Sequence, residues 1–379
     1  MTLVLSSETQ MVRDTALEFF RERSPVIELR KLRDSNDPDG FSRALWRTMA
    51  ELGWTGFLVS EEHGGTGFGV SGLAQVMEAA GRSLTASPLV STALLGASLI
   101  DMAGTSDQKD NHLPALVAGD RIFALALEET SRHAPTRIAT TAAATAGGYT
   151  LNGQKCFVLD GHIADVLIVV ARTSGGRDDR QGISLFLVPG DAAGVARTRT
   201  IMVDSRNAAL VNLDNVQVGK DALLGPVGQG ADILETVLDR ARACLAAEML
   251  GSASEAFERT VQYLKDRKQF GVAIGSFQAL KHRAAEMFCE VEVTRSAVIA
   301  ACSALDDNAN DAAALSSLAK AKASDTLYLC GNEGVQMHGG IGMTDEHEIG
   351  FFMKRARVAQ ATFGDAAFHR DRYAALLGY

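Results

Sequence analysis

The chain has 379 residues, 46% of them hydrophobic, and a formal net charge of -9, which is enough apolar material for a large core divided among two or three domains. Its Lys and Arg are interspersed with Asp and Glu, and the one dense basic stretch, Lys354, Arg355 and Arg357, reads as a helix face, so no nucleic-acid surface is expected. The five cysteines (156, 244, 289, 302 and 330) are widely spaced and never form Cys-x-x-Cys, which argues against a disulfide framework or zinc site and fits a reducing cytoplasm. No apolar run approaches the roughly 20 residues of a membrane span, and the N-terminus lacks the pattern of an export signal.

Residues 1 to 120 read as an α-helical domain. "SETQMVRDTALEFFRER" offers a capping box of Ser7 and Gln10 followed by Met11, Ala16, Phe19 and Phe20 near helical spacing. "FSRALWRTMAELG" places Phe41, Leu45, Met49 and Leu52 on one stripe, stopped by Gly53. From 121 to 228 the chain changes to short β-rich runs. "GGYTLNGQKCFVL" contains Asn152-Gly153, a hairpin signal, and "ADVLIVVAR", "GISLFLVP" and "AALVNLDNVQV" read as further strands. Few helices intervene, so an antiparallel barrel or sandwich is expected. From 229 to 379 the pattern is helical again, with Leu234, Leu238, Leu245 and Met249 near one face and many alanines for close packing, as in an antiparallel bundle.

The glycine-rich pieces "EEHGGTGFG" (61–69) and "MHGGIGMT" (337–344) lack the spacing and the βαβ setting of a dinucleotide fingerprint. They are either turns between helices or places where bare backbone approaches a ligand. In "DRKQFG" (266–271), Arg267 is either a solvated helix end or a guanidinium placed for a pyrophosphate. The eight histidines form no H-x-x-x-H pair, so no metal site is expected. Asp345 and Glu348 in "TDEHE" fit a helix-start capping pair.

Four segments in this order, "VSEEHGGTGFG", "YTLNGQKCFVLDGHIADVLIVVAR", "DRKQFGVAIGSFQALKH" and "QMHGGIGMTDEHEIGFFMKRAR", resemble the acyl-CoA dehydrogenase family over essentially the whole chain. The resemblance implies an α+β fold with an N-terminal helical domain, a central antiparallel β domain and a C-terminal four-helix bundle. It implies an FAD between the β domain and the bundle, with its adenine end reaching a neighbouring subunit. Leu127, Glu129, Phe157, Val158 and Leu159 match positions on the β side of the cofactor. Arg267, Gln269, Phe277 and Gln278 match positions that cross the subunit interface to it. Gln336, Gly339 and Gly340 match the loop that admits its pyrophosphate and adenosine region. Asp239 and Arg242, in "DRAR", match the substrate side, where the CoA lies. An acyl-CoA substrate, an electron-transferring flavoprotein as acceptor and a dimer or a homo- or heterotetramer follow from the same likeness. Two departures stand out: Thr130 replaces the proline of a Thr-Glu-Pro, and Leu159 replaces a hydroxyl residue.

The family reaction takes a proton from the carbon next to a thioester and a hydride from the following carbon, giving a trans-2-enoyl-CoA and reduced flavin. Many members carry the base as glutamate in a "YEGTA" segment; aligned with "FGDAA", that position is Gly364. A minority place it on the first bundle helix, where Ala241 stands. Asp365 is then either a relocated general base or the N-cap of the last helix. The chain is accordingly a dehydrogenase with Asp365 as its base, or a partner subunit of a heteromeric dehydrogenase. Its Gly364-Asp365 ending is similar to that of small subunits of bacterial pimeloyl-CoA and steroid-side-chain dehydrogenases. An oxidase of the same fold is a third reading.

Overall fold

The computed structural model describes residues 4–379. Its helical beginning comprises α1 (Ser7–Arg23), α2 (Val26–Asp34), α3 (Arg43–Glu51), α4 (Val70–Arg82), a π-helical stretch Leu89–Gly96, α5 (Ala97–Ala103) and α6 (Ser106–Val117). The strands follow: β1 (Phe123–Ala126), β2 (Thr141–Ala144), β3 (Gly148–Leu159), β4 (Val166–Arg172), β5 (Ile183–Pro189), β6 (Val195–Ile201), β7 (Asn207–Gly219) and β8 (Leu223–Leu224). Helix α7 (Gly230–Asp266) precedes the two-residue strands β9 (Lys268–Gln269) and β10 (Val272–Ala273). Helices α8 (Gln278–Asp306), α9 (Ala312–His338), α10 (Ile349–Ala361) and α11 (Ala366–Leu376) complete the chain.

Local signals set the helix ends with one correction. The cap of α1 is Ser6, not Ser7: Ser6 Oγ accepts from the Thr9 amide at 3.1 Å, and the Gln10 side chain turns outward to Asp14. Met11 therefore faces water while Ala16 and Phe20 are buried. In α3 the buried pair is Trp46 and Met49, and Leu52 is exposed. The stop at Gly53 holds because φ there is 78°, a left-handed conformation that glycine adopts at no steric cost.

Compactness divides the chain into two units. The first gathers the chain up to Asn36, Val70–Thr85 and Arg242–Tyr379; the second gathers Asp37–Gly69 and Ala86–Ala241. The second is built on one eight-stranded sheet in the order β6-β7-β3-β2-β4-β5-β8, with β1 paired to β4. The sheet is mostly antiparallel, as expected, but β1 runs parallel to β4. Every residue of β4 is buried, so its sequence reads as a continuous apolar run rather than an alternation.

Asn152-Gly153 is not a hairpin turn. Both residues lie inside β3, where the register against β7 shifts between Leu151 and Gly153. Gly153 has φ 154°, and a Cβ there would meet the backbone of Thr140 at 2.8 Å, which is the close approach and bulge that a glycine inside a strand signals. The turn into β3 is made instead by Thr145 and Gly148, whose amide and carbonyl bond at 2.8 Å.

The first unit is helical. A Cβ on Gly81 of α4 would run into the backbone of Glu248 on α7, and one on Gly251 into that of Glu78. Ser252 Oγ donates to the Gly81 carbonyl at 2.8 Å across this glycine contact. Helix α9 packs against α8, α10 and α11. Among the described residues no helix is long and apolar enough to cross a membrane.

Candidate functional site

In the β unit, the end of β3 carries the first group of predicted residues. A second register shift against β7 falls between Lys155 and Val158. It sets Phe157 at φ 51° with half its surface exposed, while Val158 turns into the sheet core. A bulge re-aims side chains in this way. Val158 thus has only backbone to offer outward, and Phe157 presents its ring.

Behind that bulge lies a buried ion pair. Lys155 Nζ, 0% exposed, donates to Glu129 Oε1 at 2.8 Å and to the Leu127 carbonyl at 3.1 Å. Glu129 also accepts from the amides of Ala139 at 2.7 Å and Thr140 at 2.8 Å. Burial pulls Lys155 down to about 8 against the attraction of Glu129. Burial pushes Glu129 up, but Lys155 and the Thr140 donors outweigh it and leave it below the usual carboxylate value. Leu127 is buried. Leu127 and Glu129 therefore fix the segment behind β3, and the Cys156 amide adds a bond to the Glu128 carbonyl at 2.8 Å.

In the helical unit, "DRKQFG" folds as the β9–β10 hairpin. Arg267, Gln269, Phe277 and Gln278 are all exposed on this hairpin and the start of α8. Phe270, at its tip, has φ 54° and is 91% exposed, with its ring edge-on to Phe277 at 6.1 Å.

Gln336, Gly339 and Gly340 gather at the end of α9, all exposed. Gly339 has φ 63° and ψ -141°, and a Cβ on either glycine would meet nothing within 4 Å. Neither glycine is thus needed for packing inside the chain. The neighbouring His338 is 3% exposed, and its Nε2 has no hydrogen-bond partner among the described residues. The "TDEHE" capping pair is not formed. Asp345 instead binds Arg30 and Arg33, each at 2.7 Å, and these hold its carboxyl down at about 2, whereas Glu348 binds Arg259 at 2.6 Å. Long-range guanidinium pairing outcompetes a local cap here.

The α10–α11 turn holds Gly364 and Asp365, the two positions that the sequence sets against the expected base. Gly364 has φ 106°, and a Cβ there would collide with the Phe368 ring and lie 2.9 Å from His369 Nε2. Asp365 is exposed and caps α11, its Oδ1 accepting from the Phe368 amide at 2.8 Å. Beneath the turn, Lys320 Nζ donates to the Gly364 carbonyl at 2.9 Å and to the Gln360 carbonyl at 3.3 Å. Arg242, 0% exposed, lies 5.8 Å from the Phe368 ring centre, and Arg355 pairs with Glu248 at 2.8 Å. Asp239 and Ala241 are both buried on α7. Lys320 escaped the sequence reading, and Arg355, read there as part of a basic helix face, is instead buried. The one signal for Lys320 was a lysine within the small-residue run "LAKAKAS".

Three family models cover the chain: "Acyl-CoA dehydrogenase, N-terminal domain" at residues 6–120, "middle domain" at 124–216 and "C-terminal domain" at 228–377. The probable acyl-CoA dehydrogenase YngJ of Bacillus subtilis is 30% identical, with 98% of each chain covered. Among solved structures, the ChsE4-ChsE5 complex from Mycobacterium tuberculosis is 26% identical with a TM-score of 0.88, covering 100% of this chain and 99% of that one. PigA with FAD and proline is 26% identical with a TM-score of 0.90, again over 100% and 99%. The exposed glycine pair at the end of α9, with no side chain to block a ligand, fits the approach of a bound dinucleotide. With its fold, its three domain matches and this provision for FAD, the chain belongs to the acyl-CoA dehydrogenase family of FAD-dependent oxidoreductases.

Proposed function

We propose that the chain is an FAD-binding subunit of a heteromeric acyl-CoA dehydrogenase whose proton-abstracting carboxylate comes from a different chain. The reaction is the α,β-dehydrogenation of an acyl-CoA thioester to a trans-2-enoyl-CoA, with an electron-transferring flavoprotein as acceptor. FAD, when bound, supplies the hydride acceptor; the protein must hold the substrate and supply a base.

One observation carries the reading: the single carboxylate of the α10–α11 turn, Asp365, is exposed and engaged as a helix cap. The adjacent position cannot simply regain a side chain, because Phe368 and His369 fill the space beside Gly364. One solved neighbour is a complex of two differently named chains, which fits a heteromeric assembly.

The test is to purify the chain alone and with copurifying partners, record the flavin spectrum, and mix each anaerobically with a panel of acyl-CoA thioesters. Reduction that requires the partner supports the proposal. Full reduction and enoyl-CoA formation by the isolated chain overturns it. A second reading keeps Asp365 as the base, since its cap occupies Oδ1 alone. In that case Asp365→Asn nearly abolishes flavin reduction by the isolated chain while sparing FAD. Rapid reoxidation by oxygen with peroxide release marks an oxidase.

A further inference from the structure

In the β unit, the ends of three strands meet helix α6 around a cavity of about 310 Å³. Val166 opens β4, Pro189 closes β5 and Gly219 closes β7, while Leu187 and Val218 extend the aliphatic wall. Small-molecule sites combine such walls with a few well-placed polar groups. Three side chains supply them here: His112 of α6, Gln217 of β7 and Asp221 of the turn that follows.

Gln217 is already engaged, its Oε1 accepting from Thr150 Oγ1 at 2.9 Å and its Nε2 donating to the Asn215 carbonyl at 3.2 Å. His112 is half engaged. Arg121 Nη1 lies 3.0 Å from its Nδ1, and a guanidinium only donates, so Nδ1 accepts and the proton sits on Nε2. Burial, then the charge of Arg121, lower the affinity of the ring for a second proton, which keeps it a neutral donor. The ring is held edge-on to Phe123, with centroids 5.6 Å apart. Its Nε2 is accessible and bonds to none of the described residues.

The Asp221 carboxylate is exposed, with no ion pair or hydrogen bond among the described residues. Its place is nevertheless fixed. The buried Gln108 amide donates to the Asp221 carbonyl at 2.7 Å and to the Leu223 carbonyl at 3.0 Å, which anchors the turn to α6. A Cβ on Gly219 would lie 2.1 Å from Asp221 Oδ1, so bare glycine backbone makes room for the carboxylate. The cavity thus offers one neutral donor, one unpaired anion and aliphatic walls. An ammonium answers the anion and a hydroxyl or carbonyl oxygen answers the N–H, whereas an anionic ligand would meet Asp221 with like charge.

We propose that this cavity binds a small organic amine, with its aliphatic body against Val166, Leu187 and Val218, its ammonium on Asp221 and a hydroxyl or carbonyl oxygen on His112 Nε2. The site shares no residue with the positions assigned to FAD and acyl-CoA, so it stands or falls apart from the catalytic reading.

The probe is leucinol, which carries an isobutyl group, a hydroxyl and, at neutral pH, an ammonium. Methyl NMR of the full chain, with any partner it copurifies with, follows Val166, Leu187 and Val218. Leucinol should shift these methyls saturably, with a Kd on the order of 1 mM. Isohexanol, which lacks the amine, and isoamylamine, which lacks the hydroxyl, should each bind about tenfold more weakly, and isocaproate, with the charge reversed, should not bind. Asp221→Asn should cost leucinol about tenfold and leave isohexanol unchanged. His112→Phe keeps a ring beside Phe123 and should weaken leucinol but not isoamylamine. Ala222→Leu, which fills the cavity, should remove the response to all of them. The ligand series on wild type decides the matter even where a variant does not fold. No saturable shift at about ten times the expected Kd, or leucinol binding no tighter than isohexanol or isocaproate, overturns the assignment. Unaltered leucinol affinity in a folded Asp221→Asn variant overturns it as well.

Discussion

Lys320 Nζ and the carbonyl oxygen of Gly364 are 2.9 Å apart, so a fully buried amino group holds the backbone of the turn that the family resemblance aligns with the usual base-bearing segment. The contact has a consequence for stability. Burial first, then Arg242 and Arg355, pull Lys320 down from 10.5 to about 7, with Asp365 opposing. Between those values the unfolded chain holds a proton that the folded chain releases. The contribution is therefore fully present above the unfolded value, declines as pH falls and is lost through about 7. Urea denaturation between about pH 7 and pH 10 should show wild-type stability rising with pH, and Lys320→Met should flatten that rise. Lys155, drawn down to about 8, contributes with the same sign and leaves a residual slope. Identical slopes in wild type and variant would mean that Lys320 titrates as an ordinary surface lysine.

Restoring a glutamate at Gly364 should fail as a repair. The position combines φ 106° with a Cβ path into Phe368 and His369. Left-handed strain and overpacking together should cost about 1–3 kcal/mol in Gly364→Ala and at least as much in Gly364→Glu. Thermal denaturation measures the loss, and anaerobic mixing with acyl-CoA should show no gain in flavin reduction by the isolated Glu variant. A stable Glu variant that reduces its flavin would show that the turn repacks readily.

What the sequence made legible follows from the range of the forces involved. Strands β4 and β5 are buried almost throughout, so their apolar runs announced them, whereas "VARTRT" of β6 alternates between exposed and half-buried residues and gave no apolar face to read. Asn152-Gly153 carries a real local preference for a turn, but the pairing of β3 with β7 overrides it and turns the glycine into a bulge. Asp345 followed the same rule: its capping preference lost to Arg30 and Arg33, which only the fold brings near. The exposed positions that the family resemblance singles out, Arg267, Gln269, Gly339 and Gly340, are legible through their motifs. Lys320 and the orphaned His338 nitrogen were not, because their significance lies in partners from other helices or in the want of one.

The Glu129–Lys155 pair should behave as a coupled unit behind the Phe157 bulge. Glu129→Gln leaves an ammonium buried against weaker acceptors and should destabilise the protein by about 3–5 kcal/mol. Removing both charges, in Glu129→Gln with Lys155→Met, should recover most of that loss, because the uncompensated charge is gone. Urea midpoints for the two singles and the double complete the cycle. Strictly additive losses would show that the two residues do not depend on one another despite the 2.8 Å separation.

Asp160 offers the opposite sign of pH dependence to the buried lysines. Its Oδ2 accepts from Ser91 Oγ at 2.6 Å, and burial pushes its pKa from 3.8 up to about 6 against that bond and the attraction of Arg206. A raised carboxyl contributes stability that is complete below about pH 4 and lost as pH rises through about 6. An asparagine side chain in its place would remain neutral throughout, could accept the same Ser91 proton through its oxygen, and would tolerate the φ of 55° found at this position. Asp160→Asn should therefore match wild type near pH 4 and exceed it near pH 7.5 by on the order of 1–3 kcal/mol. Denaturation at the two pH values separates this from a change in packing, which would alter both equally. Equal destabilisation at both would assign the effect of the substitution to packing and remove the pH-dependent role of Asp160.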